Sequence, residues 1–317
     1  MQVLITTTLE PDHLDCLVGS FPEVVFHFLP GLANSPPDGV RPEVLLCGHV
    51  TEDLLKGLPD LKWVQVRSAG VDHLPLQTFA ERGILLTNGS GIHGIAVAET
   101  VMAMMLAFAT GLPQLIRGQD RREWVRPTVA PGRFELENQT LLIIGLGDLG
   151  ATLARKARGI GMRVIGCDRE RVAGVLGLSR FVPVQELDKA IPEADHVALC
   201  LPLTPETRGI FHSGRIRAMK PTAYLYNVGR GALIDQNALV EALRDGAIAG
   251  AGLDVTHPEP LPPDHALWGM PNVLLTQHIG GASPFNSRRI ADLFSENLHR
   301  YKNGYPLLNL VDLSRGY

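Results

Sequence analysis

Three short segments of this sequence concentrate side chains that can hold a carboxylate and move a proton. They are Asn227-Val-Gly-Arg230-Gly231, Asp254-Val-Thr-His-Pro-Glu259-Pro260 and Gln277-His278-Ile-Gly-Gly281, each directly after a run that reads as a β-strand. In an open α/β sheet that edge is where ligands bind. The rigid fork of donors on Arg230 suits a carboxylate and an adjacent carbonyl better than a lysine would. His278 can give and take a proton near neutral pH, and an ionised Glu259 would fix the ring and stabilise the imidazolium. Reduction of a 2-keto acid needs this set: a cation, an acid for the carbonyl oxygen as hydride arrives, and a group that keeps the acid charged. Taken singly, each has a plainer account: Arg230 in a surface salt bridge, Glu259 as a loop charge, His278 as one of eleven histidines satisfied in a polar turn.

A hydride source is legible upstream. Thr140 to Ile144 is an apolar strand, followed at once by Gly145-Leu146-Gly147-Asp148-Leu149-Gly150 and a helical segment from Leu149 to Arg158. Glycines at 145 and 147 let the backbone approach a pyrophosphate at a helix N-terminus, and Gly150 permits close helix packing. The next strand runs from Met162 to Gly166 and leads to Asp168, 168 − 150 = 18 residues beyond the last glycine, where an acidic side chain accepts from ribose hydroxyls. That favours NAD over NADP, with Arg169 and Arg171 near enough to offset part of the repulsion toward a 2'-phosphate. Asp148 is expected to point away from the pyrophosphate. The competing accounts are a Gly-rich turn of some other α/β protein and a solvated loop aspartate.

These segments need a sizeable scaffold. At 317 residues the chain suits about two domains. A hydrophobic share of 45%, a charged share of 20% and a net charge of -4 describe a globular protein with no broad attraction to nucleic acid or membrane surface. Cys16, Cys47, Cys167 and Cys200 form no CxxC pair and read as buried free thiols of a reducing, cytoplasmic protein. The start lacks a signal-peptide pattern, Ile95 to Ala109 contains Glu99 and is too short to span a bilayer, and no histidine spacing suggests a metal. Further strands read at Val3 to Thr6, Val44 to Cys47, Trp63 to Val66, His196 to Leu201, Ala223 to Asn227, Ala249 to Leu253 and Val273 to Thr276, with a helix at Gln236 to Asp245. Strand and helix alternating in this way predict an α/β fold with a doubly wound parallel sheet. Thr87 to Gly94 reads as a loop closing one unit, and Ile95 to Ala109 as a buried helix closed by Pro113.

The run from Asn227 through Pro262, followed by Asn272-Val-Leu-Leu-Thr-Gln-His278-Ile-Gly-Gly, resembles the signature of the D-isomer-specific 2-hydroxyacid dehydrogenase family almost from end to end. The likeness extends to Arg67-Ser-Ala-Gly-Val-Asp-His-Leu-Pro75, Ala96-Val-Ala-Glu-Thr100 and the segment ahead of the cofactor helix. It implies a Rossmann-type cofactor domain, residues 95–284, inserted into a smaller flavodoxin-like substrate domain made of 1–94 and 285–317, with the active site in a closing cleft and the protein a homodimer. It implies Arg230, Glu259 and His278 as catalytic residues and the backbone of Ser68, Ala69, Gly70 and Val71 as a second carboxylate clamp. Cofactor contacts are implied at Gly145 to Gly150, Asp168, Leu201, Pro202, Val228, Asp254 and His278. His93 is a looser candidate for the substrate pocket. Gln277 stands where the family commonly has proline, which would loosen the His278 loop. The resemblance points to glyoxylate or hydroxypyruvate reduction; the alternatives are a D-3-phosphoglycerate dehydrogenase-like enzyme and an NAD(H)-sensing binding protein.

Overall fold

All the strand pairs in the two sheets of this protein are parallel. The computed structural model describes residues 1–32, 36–170 and 174–317. Its chain divides into two units, Met1–His93 with Ser283–Tyr317, and Gly94–Ala282.

The first unit carries β1 (Gln2–Ile5), β2 (Val25–Phe28), β3 (Val44–Cys47), β4 (Trp63–Val66) and β5 (Leu85–Thr87), in the order β2-β1-β3-β4-β5. That is the flavodoxin-like order. Alternate residues along each strand feed opposite cores. Leu4, Leu45, Val64 and Leu86 pack on one face, while Val3, Ile5, Val44, Leu46 and Trp63 pack on the other against Ile290, Phe294 and Leu298 of the Asn286–Lys302 helix. Both faces are covered, so the strands need no polar side and read as unbroken apolar runs. Within the same unit, buried Asn297 ties that helix to the sheet by donating to Gln65 Oε1 at 3.0 Å and to the Leu308 carbonyl at 3.1 Å.

The second unit carries β6 (Thr140–Ile144), β7 (Arg163–Asp168), β8 (Arg180–Pro183), β9 (His196–Leu199), β10 (Tyr224–Asn227), β11 (Gly250–Leu253) and β12 (Val273–Leu275), in the order β12-β11-β10-β9-β6-β7-β8. This is the Rossmann arrangement with one added strand beside β11. Leu142, Ile144, Val197 and Leu225 face one core; Leu141, Ile143, Ala198 and Tyr226 face the other, which is closed by Val101, Met104 and Met105 of the Gly94–Thr110 helix. A side chain at Gly252 would collide with Met104, so the glycine lets that helix lie close on the strand.

The expected strands at Val44–Cys47, Trp63–Val66 and Thr140–Ile144 coincide with β3, β4 and β6. The others differ by one or two residues at their ends. Three strands were unread: β2 and β8 are sheet edges, where one side of the ladder is open and the apolar signal is diluted, and β5 has only three residues. Pro113 does not close the Gly94–Thr110 helix. Gly111, left-handed at φ 69°, breaks it, and Pro113 sits in the first turn of a new helix, Leu112–Arg121, where its missing N–H costs nothing. Of the four free cysteines only Cys47 and Cys167 are buried; Cys16 is exposed and Cys200 half-buried, because helix and loop positions admit more solvent than strand interiors. No single helix of the described residues is long and apolar enough to cross a membrane.

Candidate active site

Arg230, Glu259 and His278 sit in the loops that leave β10, β11 and β12, three neighbouring parallel strands, so the sheet delivers all three to one edge. The turn that carries Arg230 is shaped by Asn227. This side chain, buried at 1% exposure, donates to the Arg230 carbonyl at 2.8 Å and accepts from Gly229 N at 3.2 Å. The Arg230 guanidinium donates through Nη1 to the Gly229 carbonyl at 2.9 Å, which leans it back along its own turn.

The histidine and the glutamate form a pair. Glu259 Oε2 lies 2.7 Å from His278 Nδ1, and Oε1 accepts from Thr256 N at 2.9 Å, so the carboxylate is fixed at both ends. Among the described residues Nε2 of His278 has no protein partner, and the side chain is 49% exposed. An imidazole held through one nitrogen, with the other turned to solvent, is suited to proton transfer.

The loop that carries His278 is unusual in its backbone. Gln277 and His278 are both left-handed, at φ 54° and 58°. Proline is locked near φ -65°, so it could not take this conformation at position 277, whereas glutamine can. Two consecutive left-handed residues outside glycine persist only when surrounding groups over-determine them. Asp254, 4% exposed, does so: its carbonyl accepts from His278 N at 2.5 Å, and Oδ1 accepts from Thr276 Oγ1 at 2.7 Å and Gly280 N at 3.0 Å.

The glycine turn follows β6 as its motif requires. Gly145 is left-handed at φ 97°, and a side chain there would press on the Cys200 carbonyl. A Cβ on Gly150 would strike the Gly145 carbonyl, whereas one on Gly147 meets nothing within 4 Å, so Gly147 borders open space at the start of the Asp148–Gly159 helix. Asp168 at the end of β7 accepts from Leu146 N at 2.7 Å and from Arg169 N at 2.7 Å. Its carboxylate thus braces the turn and retains lone pairs for a ligand. Arg169 reaches Glu206 at 3.7 Å; Arg171 lies outside the described residues. Asp148 turns to the first residue of the Gly94–Thr110 helix, where a Cβ on Gly94 would overlap its carboxylate. There the partial positive charge of that helix start receives it. Leu146 and Val228 are buried at 1% and 8% exposure, and the Pro202 carbonyl after β9 accepts from Thr207 Oγ1 at 2.7 Å. Burial pushes the thiol of Cys200 up to about 12, which leaves no nucleophilic cysteine beside the turn.

In the first unit, the carbonyls of Ser68, Ala69 and Val71 in the loop after β4 are bonded. Gly89 N donates to the Ser68 carbonyl at 2.8 Å, Asn88 Nδ2 to that of Ala69 at 2.9 Å, and Leu74 N to that of Val71 at 3.0 Å. Among the described residues the N–H groups of Ser68, Ala69, Gly70 and Val71 donate to nothing in the protein. Successive free N–H groups of this kind make an anion-binding concavity. His93 is tied down in the same unit, with Nε2 at 3.2 Å from the Arg67 carbonyl and Nδ1 at 3.3 Å from Asn286 Nδ2.

A family model described as "D-isomer specific 2-hydroxyacid dehydrogenase, NAD binding domain" matches residues 102–280. A glyoxylate reductase of Korarchaeum cryptofilum is 36% identical over 84% of this chain and 81% of its own. The chain belongs to the D-isomer-specific 2-hydroxyacid dehydrogenase family. It is similar also to a D-3-phosphoglycerate dehydrogenase of Methanocaldococcus jannaschii, at 35% identity over 83% of this chain and 50% of that one. The crystal structure of an NADPH-dependent glyoxylate/hydroxypyruvate reductase from Sinorhizobium meliloti, in complex with NADP and sulfate, superposes with a TM-score of 0.83 at 27% identity, covering 100% of this chain and 99% of that one. This dehydrogenase is therefore a hydroxyacid oxidoreductase with a pyridine-nucleotide domain. The residues present fit such a cofactor, because the open approach at Gly147 and the left-handed Gly145 leave the helix start bare of side chains.

Two roles at the dehydrogenase site escape the reading of the sequence, one of them despite a local signal. Asp254, assigned there only to the cofactor, also pins the His278 loop, a role no spacing rule encodes. Asn227 lay inside the quoted motif without a role, although an asparagine two residues before a glycine turn is a known signal for a side chain that bonds its own backbone.

Proposed function

We propose that this protein reduces a small 2-keto acid to the D-2-hydroxy acid with NADH, with glyoxylate or hydroxypyruvate as the substrate class. The observation that carries the reading is the 2.7 Å His278–Glu259 pair with its open Nε2, on the sheet edge that also holds Arg230. Arg230 binds the substrate carboxylate and orients the keto carbon. His278 Nε2 protonates the carbonyl oxygen in reduction and takes the proton back in oxidation, and Glu259 keeps the ring oriented and charged through Nδ1. The free N–H groups of Ser68 to Val71 are assigned as the second carboxylate clamp. Bound pyridine nucleotide supplies the hydride. The backbone from Gly145 to Gly150, with Asp168, Leu201, Pro202, Val228, Asp254 and His278, would hold it, which makes Gly94–Ala282 the cofactor unit and the remainder the substrate unit.

Asp168 supports NAD over NADP, since a 2'-phosphate would meet its charge, and Arg169 is partly occupied by Glu206. A cytoplasmic homodimer is part of the same proposal. Exposed Leu106, Leu112, Leu115 and Ile116 on the Gly94–Thr110 and Leu112–Arg121 helices support self-association. The name of the Methanocaldococcus relative favours a second reading, oxidation of D-3-phosphoglycerate. NADH oxidation by the purified protein, measured against glyoxylate, hydroxypyruvate, pyruvate and 3-phosphohydroxypyruvate and repeated with NADPH, decides between them. Turnover of the first two at rates well above the others supports the proposal. Silence across the panel while NADH still binds would transfer the assignment to an NAD(H)-sensing protein.

A further inference from the structure

The proposed acid–base pair depends on where Glu259 stands, and that residue sits on an exposed loop. Of residues 256–260, which follow β11, only Thr256 is partly covered. Two bonds inside the loop give it a shape: Thr256 N donates to Glu259 Oε1 at 2.9 Å, and Thr256 Oγ1 donates to the Pro258 carbonyl at 3.0 Å. Neither ties the loop to the rest of the unit. A carboxylate that must meet a ring nitrogen at 2.7 Å needs an anchor from outside its own turn.

Gln236 supplies one. Its side chain grips a single residue of the loop at both ends: Oε1 accepts from His257 N at 3.0 Å, and Nε2 donates to the His257 carbonyl at 2.9 Å. The backbone N–H needs an acceptor and the carbonyl a donor, so these two bonds dictate how the amide is turned. Nε2 also lies 3.1 Å from His265 Nε2. The support behind this grip is well packed. Gln236 is the first residue of the Gln236–Arg244 helix, in which Ala238, Leu239, Val240, Ala242 and Leu243 are buried. That helix is capped by Asp235, which accepts from Ala238 N at 3.1 Å, so the amide of Gln236 is not spent on its own helix. From the other side Gly231 admits the same peptide, since a Cβ there would overlap the Thr256 carbonyl and press on His257 N. The Thr256–His257 peptide therefore lies against the turn that carries Arg230, and Gln236 holds it there.

We infer that Gln236 is a positioning residue of the acid–base pair, which by gripping His257 sets Glu259 against His278. This rests on the proposed keto-acid chemistry, in which Glu259 orients the ring and keeps it charged. Gln236 bonds to His257 and His265 and not to Arg230, Glu259 or His278, so its effect falls on kcat and passes through Glu259.

The test is a double-mutant cycle on the intact enzyme with NADH and the better of glyoxylate and hydroxypyruvate. One arm is Gln236→Met, which keeps the length of the side chain without its hydrogen bonds; the other is Glu259→Ala, which removes the carboxylate to be positioned. Fluorescence titration with NADH counts the folded sites, and each rate is taken per binding site. Gln236→Met should lower kcat roughly 10-fold, with KM for the keto acid and the NADH dissociation constant within about 2-fold of wild type. Gln236→Asn, whose amide is one methylene too short to grip His257, should behave in the same way. In the Glu259→Ala background either substitution should change kcat by less than about 2-fold. An equal loss in both backgrounds, a rise in KM at unchanged kcat, or wild-type kinetics for the two Gln236 variants overturns the positioning role and leaves the keto-acid reading intact. A wild-type rate for Glu259→Ala overturns the pair itself, and no turnover of any keto acid with NADH bound overturns the proposed function.

Discussion

The two sheets of this protein obey one topological rule and apply it with different chemistry. In the second unit the proposed ligand edge carries charged side chains, Arg230, Glu259 and His278, with Arg230 bonded back to its own turn and Glu259 paired with His278. In the first unit the proposed edge is made of main-chain N–H groups at Ser68 to Val71, which donate to nothing among the described residues, while the carbonyls of Ser68, Ala69 and Val71 are bonded. The difference teaches where substitutions will be felt. An edge of side chains fails when a side chain is truncated; an edge of backbone fails only when the loop changes shape.

The largest expected effect sharpens that contrast. His278→Ala should lower the rate of reduction about 10³-fold or more while NADH binding, followed by fluorescence titration, is retained; a near-normal rate would sink the acid–base assignment. Glu259→Gln should cost roughly 10- to 100-fold in kcat with little change in the NADH dissociation constant, since Nδ1 keeps an acceptor but the imidazolium loses its counter-charge, and the glycine turn is untouched. Gly147→Val places a branched side chain in the open approach at the helix start, so NADH affinity should weaken by roughly 10-fold or more with an unchanged melting temperature. If stability fell instead, the space at Gly147 would be structural.

The smallest expected effect comes from the opposite edge of the second sheet, where β9 begins. His196 is fully buried, with Nε2 at 2.6 Å from Gln139 Oε1 and Nδ1 at 3.1 Å from the Tyr226 hydroxyl. Desolvation by burial holds the ring down at about 4, against the pull of Asp195 in the other direction. The unfolded chain, titrating near 6.5, therefore takes up the proton first as pH falls. The native state loses stability from about pH 6.5 down to about pH 4, by an amount on the order of 3 kcal/mol. Thermal unfolding of His196→Gln, compared with wild type between pH 7 and pH 4, should show a shallower decline, with the rate of reduction at pH 7 altered far less than by any change at the ligand edge.

Much of this was legible in residue types. TLLII followed by GLGDLG names a buried strand and a phosphate-binding turn because glycine spacing and apolar continuity are local properties, and they hold at β6 and the helix after it. Arg230, Glu259 and His278 could be singled out because each follows an apolar run, although nothing local brings residues 19 positions apart, such as Glu259 and His278, within 2.7 Å. The short strands β2, β5 and β8 escaped because their identity depends on a neighbour in the sheet rather than on their own pattern.

The sequence by itself determined the repertoire: two α/β units, a nucleotide turn, and an acid, a base partner and a cation in three loops. Only the tertiary structure decided which atoms are left over. Among the described residues, Nε2 rather than Nδ1 of His278 is open, the N–H groups of Ser68 to Val71 have no protein acceptor while the carbonyls of Ser68, Ala69 and Val71 are bonded, and Arg67 has no carboxylate partner; each follows from the hydrogen bonds that the folded chain makes. A donor or acceptor becomes functional by being unpaired, and pairing is a property of the whole fold.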